Sequence, residues 1–365
     1  MKINVKKAFN KKRILVAVLI VVAVLIMVAS NPDIKDFFSK SEAIKLNFQT
    51  GVEYDMVAYG KEMLLVNNEG VYAIDKSGRE AWSAVSAATS PYAQVSGRYI
   101  MIADINGKEA KTFRKEKIVS EIKTENEILC ATVNKNGYIA VATNELGYKG
   151  MVLLYDKGGK ELFRWYSGSG YIGDVALSPN NKLTVAQIMT DKEQVYSKIL
   201  MINPTSDKEP ECISEPLGIV VKLKYNDDGS LIALTNNGLY GYKRSGKPKF
   251  TVDFGSRHLL KCNIENKNNL VLAFDSGRSS TVLESYSSNG KLRGSFDAGG
   301  EIRALDVSGE RIVAAIHDKL IVLNPRGTVK SELKSSKDVK AIRIFGDRSK
   351  LLSLGGGSAE IINIR

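Results

Sequence analysis

The chain has 365 residues, of which 44% are hydrophobic, and this is enough apolar material for a large core. Its formal net charge is +12, but six of the cations stand in residues 1–13, which contain no acidic residue. No basic run typical of a nucleic-acid-binding arm occurs in the remaining sequence, so nucleic acid is excluded as a predicted partner.

Residues 14–29 form the apolar run "ILVAVLIVVAVLIMVA". As a helix this run would extend about 24 Å, close to the ~30 Å hydrocarbon core of a bilayer, and flanking lysines extend that reach. The basic residues 1–13 place the N-terminus in the cytoplasm. We therefore predict a cytoplasmic segment (1–13), a transmembrane signal anchor (14–30), a linker (31–42) and an extracellular domain at the cell membrane. A signal peptide cleaved near Ser30 is the alternative.

The rest of the chain repeats one short pattern. The stretch "VYAIDKSGREAW" (71–82) predicts a strand, a tight turn and a second strand closed by an aromatic residue, and four looser copies follow it. Their turn glycines are Gly78, Gly159, Gly246, Gly290 and Gly327, which are separated by 81, 87, 44 and 37 residues. These separations are one or two units of about 40 residues, a period typical of propellers.

Each unit divides into four short strands rich in Val, Ile and aromatic residues and bounded by Gly, Asn, Asp and Pro. Seven such units are followed by a last one that supplies only three strands before the chain ends. The isolated strand "AIKLNFQ" (43–49) can complete that last sheet and leave no exposed edge. We therefore predict an all-β, eight-bladed β-propeller over residues 43–365. Seven blades is the alternative, if repeat 89–125 or 171–217 is not a full sheet.

The order of apolar strand, Asp, Gly and closing Trp in "VYAIDKSGREAW" resembles the repeat of pyrroloquinoline-quinone-type propellers, which have eight blades. The resemblance implies that the closing aromatic residue packs between neighbouring blades. Trp82 and Trp165 match this position, and Phe250 and Phe296 replace Trp in two other repeats. The same repeat occurs in quinone dehydrogenases and in non-enzymatic assembly propellers. The layout of anchor and propeller also resembles uncharacterised membrane-anchored propeller proteins of Gram-positive bacteria.

The predicted inner strands carry charged residues, which a dry core would disfavour. Alignment of these strands places seven polar residues near the central channel, namely Asp174, Lys222, Lys224, Lys261, Asn263, Asp306 and Arg343. We interpret them as candidate channel-lining residues. They either form a locally basic site for an anion or an acidic tail, or pair with one another in a water-filled pore.

Two loops between second and third strands are longer than the others, "NELGYKG" (144–150) and "TDKEQVYS" (190–197). They bring Tyr148, Lys149, Lys192 and Tyr196 to one face of the ring. Loops on rigid scaffolds often carry binding residues, so this face is a second candidate site, for a protein or a glycan. Ordinary variation in loop length is the alternative.

Three other features favour structural roles. Cys130, Cys212 and Cys262 fall in separate strand-like runs, which predicts buried free thiols, with one disulfide and a spare thiol as the alternative. The string "GSGYIG" (168–173) stands between strands of neighbouring blades, so we expect a tight joint and no dinucleotide site. The only histidines, His258 and His317, have no nucleophile or metal-ligand motif beside them.

Since no nucleophile set, metal set or nucleotide loop is present in the sequence, we predict a non-catalytic propeller without cofactor or metal. It would act as a membrane-anchored protein-interaction scaffold or sensor-like module in the cell envelope. The alternative is an extracellular ligand or carbohydrate-binding protein that uses the channel or a ring face. A hydrolase or lyase site scattered over several blades stays open. Quinone dehydrogenase activity is not predicted, because the resemblance implies an adjacent cysteine pair that this chain lacks.

Overall fold

The computed structural model describes residues 43–46, 54–191, 194–206, 208–277, 279–335, 338–356 and 359–364. These residues form eight four-stranded antiparallel sheets, so the predicted all-β, eight-bladed propeller is confirmed. The repeats 89–125 and 171–217 are both complete blades, which excludes the seven-bladed alternative.

The compact propeller unit begins at Ile44 and ends at Arg365. The predicted anchor (14–30) and linker (31–42) lie outside the described residues. In the part of the chain that is described, no helix has the length and apolar character needed to cross a membrane.

Each blade is a meander of four strands that runs outward from the channel. Blades 1 and 2 consist of β2 (Asp55–Tyr59), β3 (Glu62–Val66), β4 (Gly70–Ile74), β5 (Glu80–Val85), β6 (Pro91–Ser96), β7 (Tyr99–Asp104), β8 (Glu109–Arg114) and β9 (Lys117–Lys123). Blades 3 and 4 consist of β10 (Ile128–Val133), β11 (Ile139–Thr143), β12 (Met151–Tyr155), β13 (Glu161–Tyr166), β14 (Tyr171–Leu177), β15 (Leu183–Thr190), β16 (Val195–Ile202) and β17 (Glu211–Ser214).

The second half of the ring follows the same plan. Blades 5 and 6 consist of β18 (Val220–Tyr225), β19 (Leu231–Thr235), β20 (Gly238–Tyr242), β21 (Pro248–Asp253), β22 (Leu259–Asn263), β23 (Leu270–Gly277), β24 (Ser280–Tyr286) and β25 (Leu292–Asp297). Blades 7 and 8 consist of β26 (Ile302–Ser308), β27 (Arg311–Ile316), β28 (Lys319–Leu323), β29 (Val329–Lys334), β30 (Ala341–Ile344), β31 (Lys350–Leu354), β32 (Ala359–Asn363) and β1 (Ile44–Leu46).

Burial explains the composition of the strands. The two middle strands of a blade lie between neighbouring blades and are covered on both faces, so β11 and β12 are buried at every position. Such strands read as continuous apolar runs. The outer strand β13 alternates between half-buried and exposed positions, because only one of its faces packs against a neighbour.

The strand predicted at 43–49 closes the ring, over Ile44–Leu46. β1 pairs antiparallel with β32, with Ile44 opposite Ile361 and Leu46 opposite Ala359, and residues 47–49 lie outside the described residues. Ile44 and Leu46 pack on a core shared by blades 8 and 1, whose buried members are Met56, Met63, Leu65, Ile74, Phe345, Leu352, Ala359 and Ile361. We call this junction the seam.

The turns also follow their sequence signals. The segments "NKNG" (134–137), "SPNN" (178–181) and "NDDG" (226–229) each join the first and second strands of a blade. Their last residues, Gly137, Asn181 and Gly229, have positive φ angles between 65° and 85°. Glycine and asparagine tolerate this conformation best, which accounts for their position in these hairpins.

Candidate functional site

The meander gives the ring two different faces. The turn face carries the turns between first and second strands and between third and fourth strands, such as 134–137 and 156–159. The connection face carries the loops between second and third strands and the links between blades, such as 144–150 and 167–170. Each inner strand therefore starts at the connection face and ends at the turn face.

The inner strands are tied together by polar side chains. In four places a side-chain oxygen on the inner strand of one blade accepts a hydrogen bond from a backbone N–H on the inner strand of the next blade. These contacts are Ala93 N to Asp55 Oδ2 (3.3 Å), Val133 N to Gln94 Oε1 (2.8 Å), Leu223 N to Asp174 Oδ2 (2.6 Å) and Ile344 N to Asp306 Oδ2 (2.7 Å). The inner strand is an edge, so these oxygens bind donors that its own sheet leaves without a partner.

Two members of this set were predicted to line the channel. Asp174 and Asp306 are 7% exposed and lie between blades, and Asp306 also lines the central cavity of the channel. Burial raises the pKa of the Asp174 carboxyl, although Lys222 and the Leu223 N–H act in the opposite direction. Burial likewise raises the pKa of Asp306 against the effect of Arg343. Their acceptor roles are structural.

Lys222 makes a contact across the channel. Its Nζ lies 3.1 Å from the hydroxyl of Tyr92 and 5.4 Å from the ring centroid. Lys222 is on blade 5 and Tyr92 is on blade 2, so the contact crosses the channel. Burial alone would lower the pKa of Lys222, but Asp174 and Tyr92 outweigh this effect and raise the pKa above its ordinary value. Lys222 lines two neighbouring cavities of the channel, and Tyr92 lines one of them.

Lys224 and Arg343 join neighbouring blades. Lys224 Nζ donates to the carbonyl oxygens of Ile264 (2.9 Å) and Glu265 (2.7 Å), which belong to blade 6 and the turn that follows β22. Burial lowers the pKa of Lys224, and Glu265 opposes that shift only in part. Arg343 Nε donates to the Met56 carbonyl across the seam at 3.0 Å, and its Nη1 lies 3.5 Å from Asp306 Oδ1.

The remaining two candidates differ from each other. Asn263 is buried and donates through Nδ2 to Asp306 Oδ1 at 3.0 Å, so it supports the tie to blade 8. Lys261 lies in the middle of β22 and lines a cavity on the connection face. Of the seven predicted residues, it is the one whose side chain has no hydrogen bond or ion pair among the described residues.

Among the described residues, three cavities lie along the inner strands of the ring. A cavity of about 270 Å³ opens at the turn face beside Asn134, Asn226 and Lys224. The central cavity, of about 570 Å³, lies between Tyr92 and Arg343. The third, of about 390 Å³, opens at the connection face of blades 6 to 8, and we call it the basic mouth; the residues that line it are Leu260, Lys261, Cys262, Arg303, Ala304, Leu305, Lys340, Ala341, Ile342 and Arg343.

The predicted ring-face loop 144–150 forms part of a larger patch on the connection face. The rings of Tyr148 and Tyr166 are 4.7 Å apart, and Lys149 Nζ lies 4.7 Å above the ring of Tyr171. Leu146, at 95% exposed, belongs to the same loop. We call Leu146, Tyr148, Lys149, Tyr166 and Tyr171 the aromatic patch.

The second predicted ring-face loop, 190–197, adds no described residue to the aromatic patch. Lys192 lies outside the described residues, and Tyr196 is half-buried on β16 with Lys198 Nζ 5.9 Å from its ring centroid. Sequence reasoning missed Tyr166 and Tyr171, which stand at a strand end and a strand start. Both tyrosines flank the link 167–170 between two blades, and this position in the sequence could have placed them on the connection face.

The four aromatic residues assigned to blade packing lie where the resemblance implies. All are partly buried against cores between neighbouring blades: Trp82 between blades 1 and 2, Trp165 between 3 and 4, Phe250 between 5 and 6, and Phe296 between 6 and 7. Trp82 Nε1 also donates to Glu62 Oε2 at 2.8 Å. Each ring therefore contributes apolar area to a junction between blades.

The cysteines depart from expectation in burial. All three are free thiols, but Cys130 is half-buried, and Cys212 and Cys262 are exposed. Cys212 is on an outer strand and Cys262 is on a channel-lining inner strand, so neither strand is covered on both faces. The "GSGYIG" segment is the joint between β13 and β14, where Gln187 Nε2 donates to Ser167 Oγ at 2.7 Å. Among the described residues, no three His, Cys, Asp or Glu side chains are grouped as metal ligands.

Together these features define an eight-bladed β-propeller whose inner strands are joined by polar side chains. The chain belongs to a family of unknown function, DUF5711, whose model matches residues 35–364. The family that matches is thus not one of quinone-type repeats, although the eight-bladed architecture implied by that resemblance is present. No curated protein matches the sequence.

Solved structures show the same fold at low sequence identity. The computationally designed protein Ika8 is 10% identical with a TM-score of 0.63, covering 88% of this chain and all (100%) of its own. BamB from Moraxella catarrhalis is 13% identical with a TM-score of 0.54, covering 87% of this chain and 99% of its own. A eukaryotic initiation factor is 14% identical, also with a TM-score of 0.54, and the match covers 84% of this chain and 83% of the factor. These likenesses concern the fold alone.

Proposed function

We propose that this protein is a membrane-anchored, non-catalytic propeller that binds another envelope protein through the aromatic patch. The basic residues 1–13 and the apolar run 14–29 support attachment to the cell membrane with the propeller outside the cell. The patch supports binding, because rings and an apolar side chain are held in water on a rigid ring.

The observation that carries this proposal is the exposure of the patch together with its order. Tyr148 and Tyr171 are 50% and 53% exposed, yet both rings have fixed neighbours. The loop itself is held by a hydrogen bond from Lys149 N to the Ser167 carbonyl at 2.7 Å. Pre-ordered tyrosines lose little conformational entropy on binding, which is why they are frequent at interface hot spots.

The chemistry of the patch defines its partner. Leu146 and the tyrosine rings fit an apolar side chain, and the Lys149 ammonium attracts a carboxylate beside it. The partner is therefore a protein surface with an apolar anchor next to Asp or Glu. A carbohydrate-binding role for the same tyrosines is the competing function, since exposed rings can also lie against sugars.

The test compares the full-length protein with a double variant, Tyr148→Ala with Tyr171→Ala. After capture from detergent-solubilised membranes, the parent should retain one protein in 1:1 ratio, and the variant should bind it at least tenfold more weakly. The matched control, Leu162→Ala with Leu292→Ala, removes exposed apolar side chains from the outer strands and should bind like the parent. Equal binding by the patch variant would contradict the proposal, and a glycan-array signal lost in that variant would favour the carbohydrate alternative.

The membrane anchor has its own test. Protease added to intact cells should digest the propeller while a cytoplasmic marker survives, and the intact mass of the mature protein should include residues 1–30. A mature chain that begins after Ser30 would instead support the cleaved signal peptide.

A further inference from the structure

The basic mouth concentrates positive charge around a concave surface. Its lining includes Lys261 from β22, Arg303 from β26, Arg343 from β30 and Lys340, which directly precedes β30; none of the described residues that line it is a carboxylate. Three consecutive inner strands therefore each supply a cation at the same level of the channel. A cleft lined by one sign of charge raises the local concentration of the opposite ion.

The cations of the mouth differ in how far they are already engaged. Arg343 is held by the Met56 carbonyl and by Asp306. The side-chain ammonium groups of Lys261 and Lys340 have no hydrogen bond or ion pair within the described part of the chain. Like charges gathered around one cavity raise its positive potential, and an anion bound there would lower that electrostatic cost.

The floor of the mouth limits the kind of anion. Leu260, which is 48% exposed, adds apolar surface beside the cations, and the cavity volume of about 390 Å³ exceeds that of a single inorganic ion. Small ligand sites combine such an apolar lining with a few converging polar groups. Lysine and arginine bind carboxylate and phosphate groups strongly, as charge-assisted donors.

The geometry points to a binding site at the basic mouth for an anion that carries two or more carboxylate or phosphate groups. This inference is independent of the aromatic patch. The charged groups come either from a free small molecule or from acidic side chains of a docked protein segment, and the two sources share the same recognition chemistry.

Cys262 offers a local reporter, because it is exposed in the wall of the mouth. In a Cys212→Ser background, citrate at about ten times its dissociation constant should slow alkylation of Cys262 by iodoacetamide about tenfold and raise Tm by about 3 °C. Sodium chloride at equal ionic strength should do neither. Inorganic phosphate and hexaglutamate serve as further probes, since protection by citrate or phosphate indicates a free anion and protection by hexaglutamate alone indicates a protein segment.

The variant Lys261→Gln with Lys340→Gln should abolish this protection. Its control, Lys157→Gln with Lys330→Gln, removes the same charge from exposed sites on a turn and an outer strand and should behave like the parent. The inference is overturned if no probe protects Cys262 in the parent, or if both double variants are protected equally. If the Lys261→Gln, Lys340→Gln variant does not fold, protection of Cys262 by the probes in the Cys212→Ser protein alone decides whether the site exists.

Discussion

At the scale of single residues, polar groups on the inner strands act mainly as ties between blades. Asp306 shows this most fully, since it accepts from Ile344 N and Asn263 Nδ2 and faces Arg343. A buried carboxylate is tolerable only when its oxygens have such partners. Asp306 and Arg343 thus pair with each other, as the predicted alternative has it, whereas Lys261 lines the basic mouth without such a pair.

We expect Asp306→Ala to lower the free energy of unfolding by about 2 kcal/mol, because it leaves the Ile344 N–H and the Arg343 guanidinium without their shared acceptor. The value is modest since Arg343 is 40% exposed and screened by solvent. Urea denaturation measures the change. Asp318→Ala, at an exposed turn, is the control and should alter stability by less than about 0.5 kcal/mol. Equal effects would show that the tie between blades 7 and 8 contributes nothing.

Acid should weaken the seam first. The Ser77 hydroxyl and backbone N–H groups hold the pKa of Asp75 at about 2 and together outweigh partial burial, which acts in the opposite direction. Partial burial also opposes ionisation of Asp347, but hydrogen bonds from Lys76 and Ser349 outweigh it and hold its pKa at about 2. Both carboxylates sit beside the seam, since Lys76 of blade 1 pairs with Asp347 of blade 8.

The sign of the pH dependence follows from these shifts. A carboxylate whose pKa is lower in the folded state stabilises the fold above its unfolded pKa, near 3.8, and loses that contribution as the pH falls towards 2. Asp174 and Asp306 act in the opposite sense, because protonation relieves the cost of their burial. Thermal melts of Asp347→Asn between pH 4 and pH 2 should therefore fall less steeply than those of the parent. Parallel curves would contradict this assignment.

At the scale of elements, the turn of blade 1 and the strand β1 support each other. Gly78 has a φ of +81°, and a Cβ added there would lie 2.5 Å from Leu46 Cδ2. This turn therefore needs glycine for its own conformation and for contact with the closing strand.

We expect Gly78→Ala to destabilise the propeller by about 2–3 kcal/mol, combining backbone strain with displacement of Leu46. Gly60→Ala is a matched control, because Gly60 also has positive φ, +58°, but open space around its Cβ position. That control should cost only about 1 kcal/mol. If both variants lost the same stability in urea denaturation, contact between this turn and β1 would have no energetic role.

The elements were far more predictable from sequence than the ties between them. Periodic turn glycines and apolar runs located every blade, because a local strand and turn signal repeats along the chain. Asp55 and Gln94 escaped notice, since a polar residue in an edge strand reads as solvent-facing until its neighbour in space is known. Tyr166 and Tyr171 were missed for the same reason, as only the blade junction places them beside loop 144–150.

At the scale of the whole molecule, both proposed surfaces depend on a closed ring. The basic mouth lies on blades 6 to 8, and its Arg343 reaches Met56 of blade 1 across the seam. The aromatic patch lies on blades 3 and 4, whose neighbours fix their orientation. Closure by β1 also covers an edge strand that would otherwise pair with other chains.

A disulfide across β1 and β32 tests this closure most directly. In a background without native cysteines, Lys45→Cys with Glu360→Cys should cross-link spontaneously, because these residues are opposite each other in the register. Closing a loop of roughly 300 residues stabilises the chain by up to about 6 kcal/mol in the chain-entropy model, so Tm should rise and return to the parent value on reduction. Lys45→Cys with Lys330→Cys, which pairs the same strand with another blade, should not cross-link. Failure of the first pair to form, or equal cross-linking of both pairs, would contradict the closed ring.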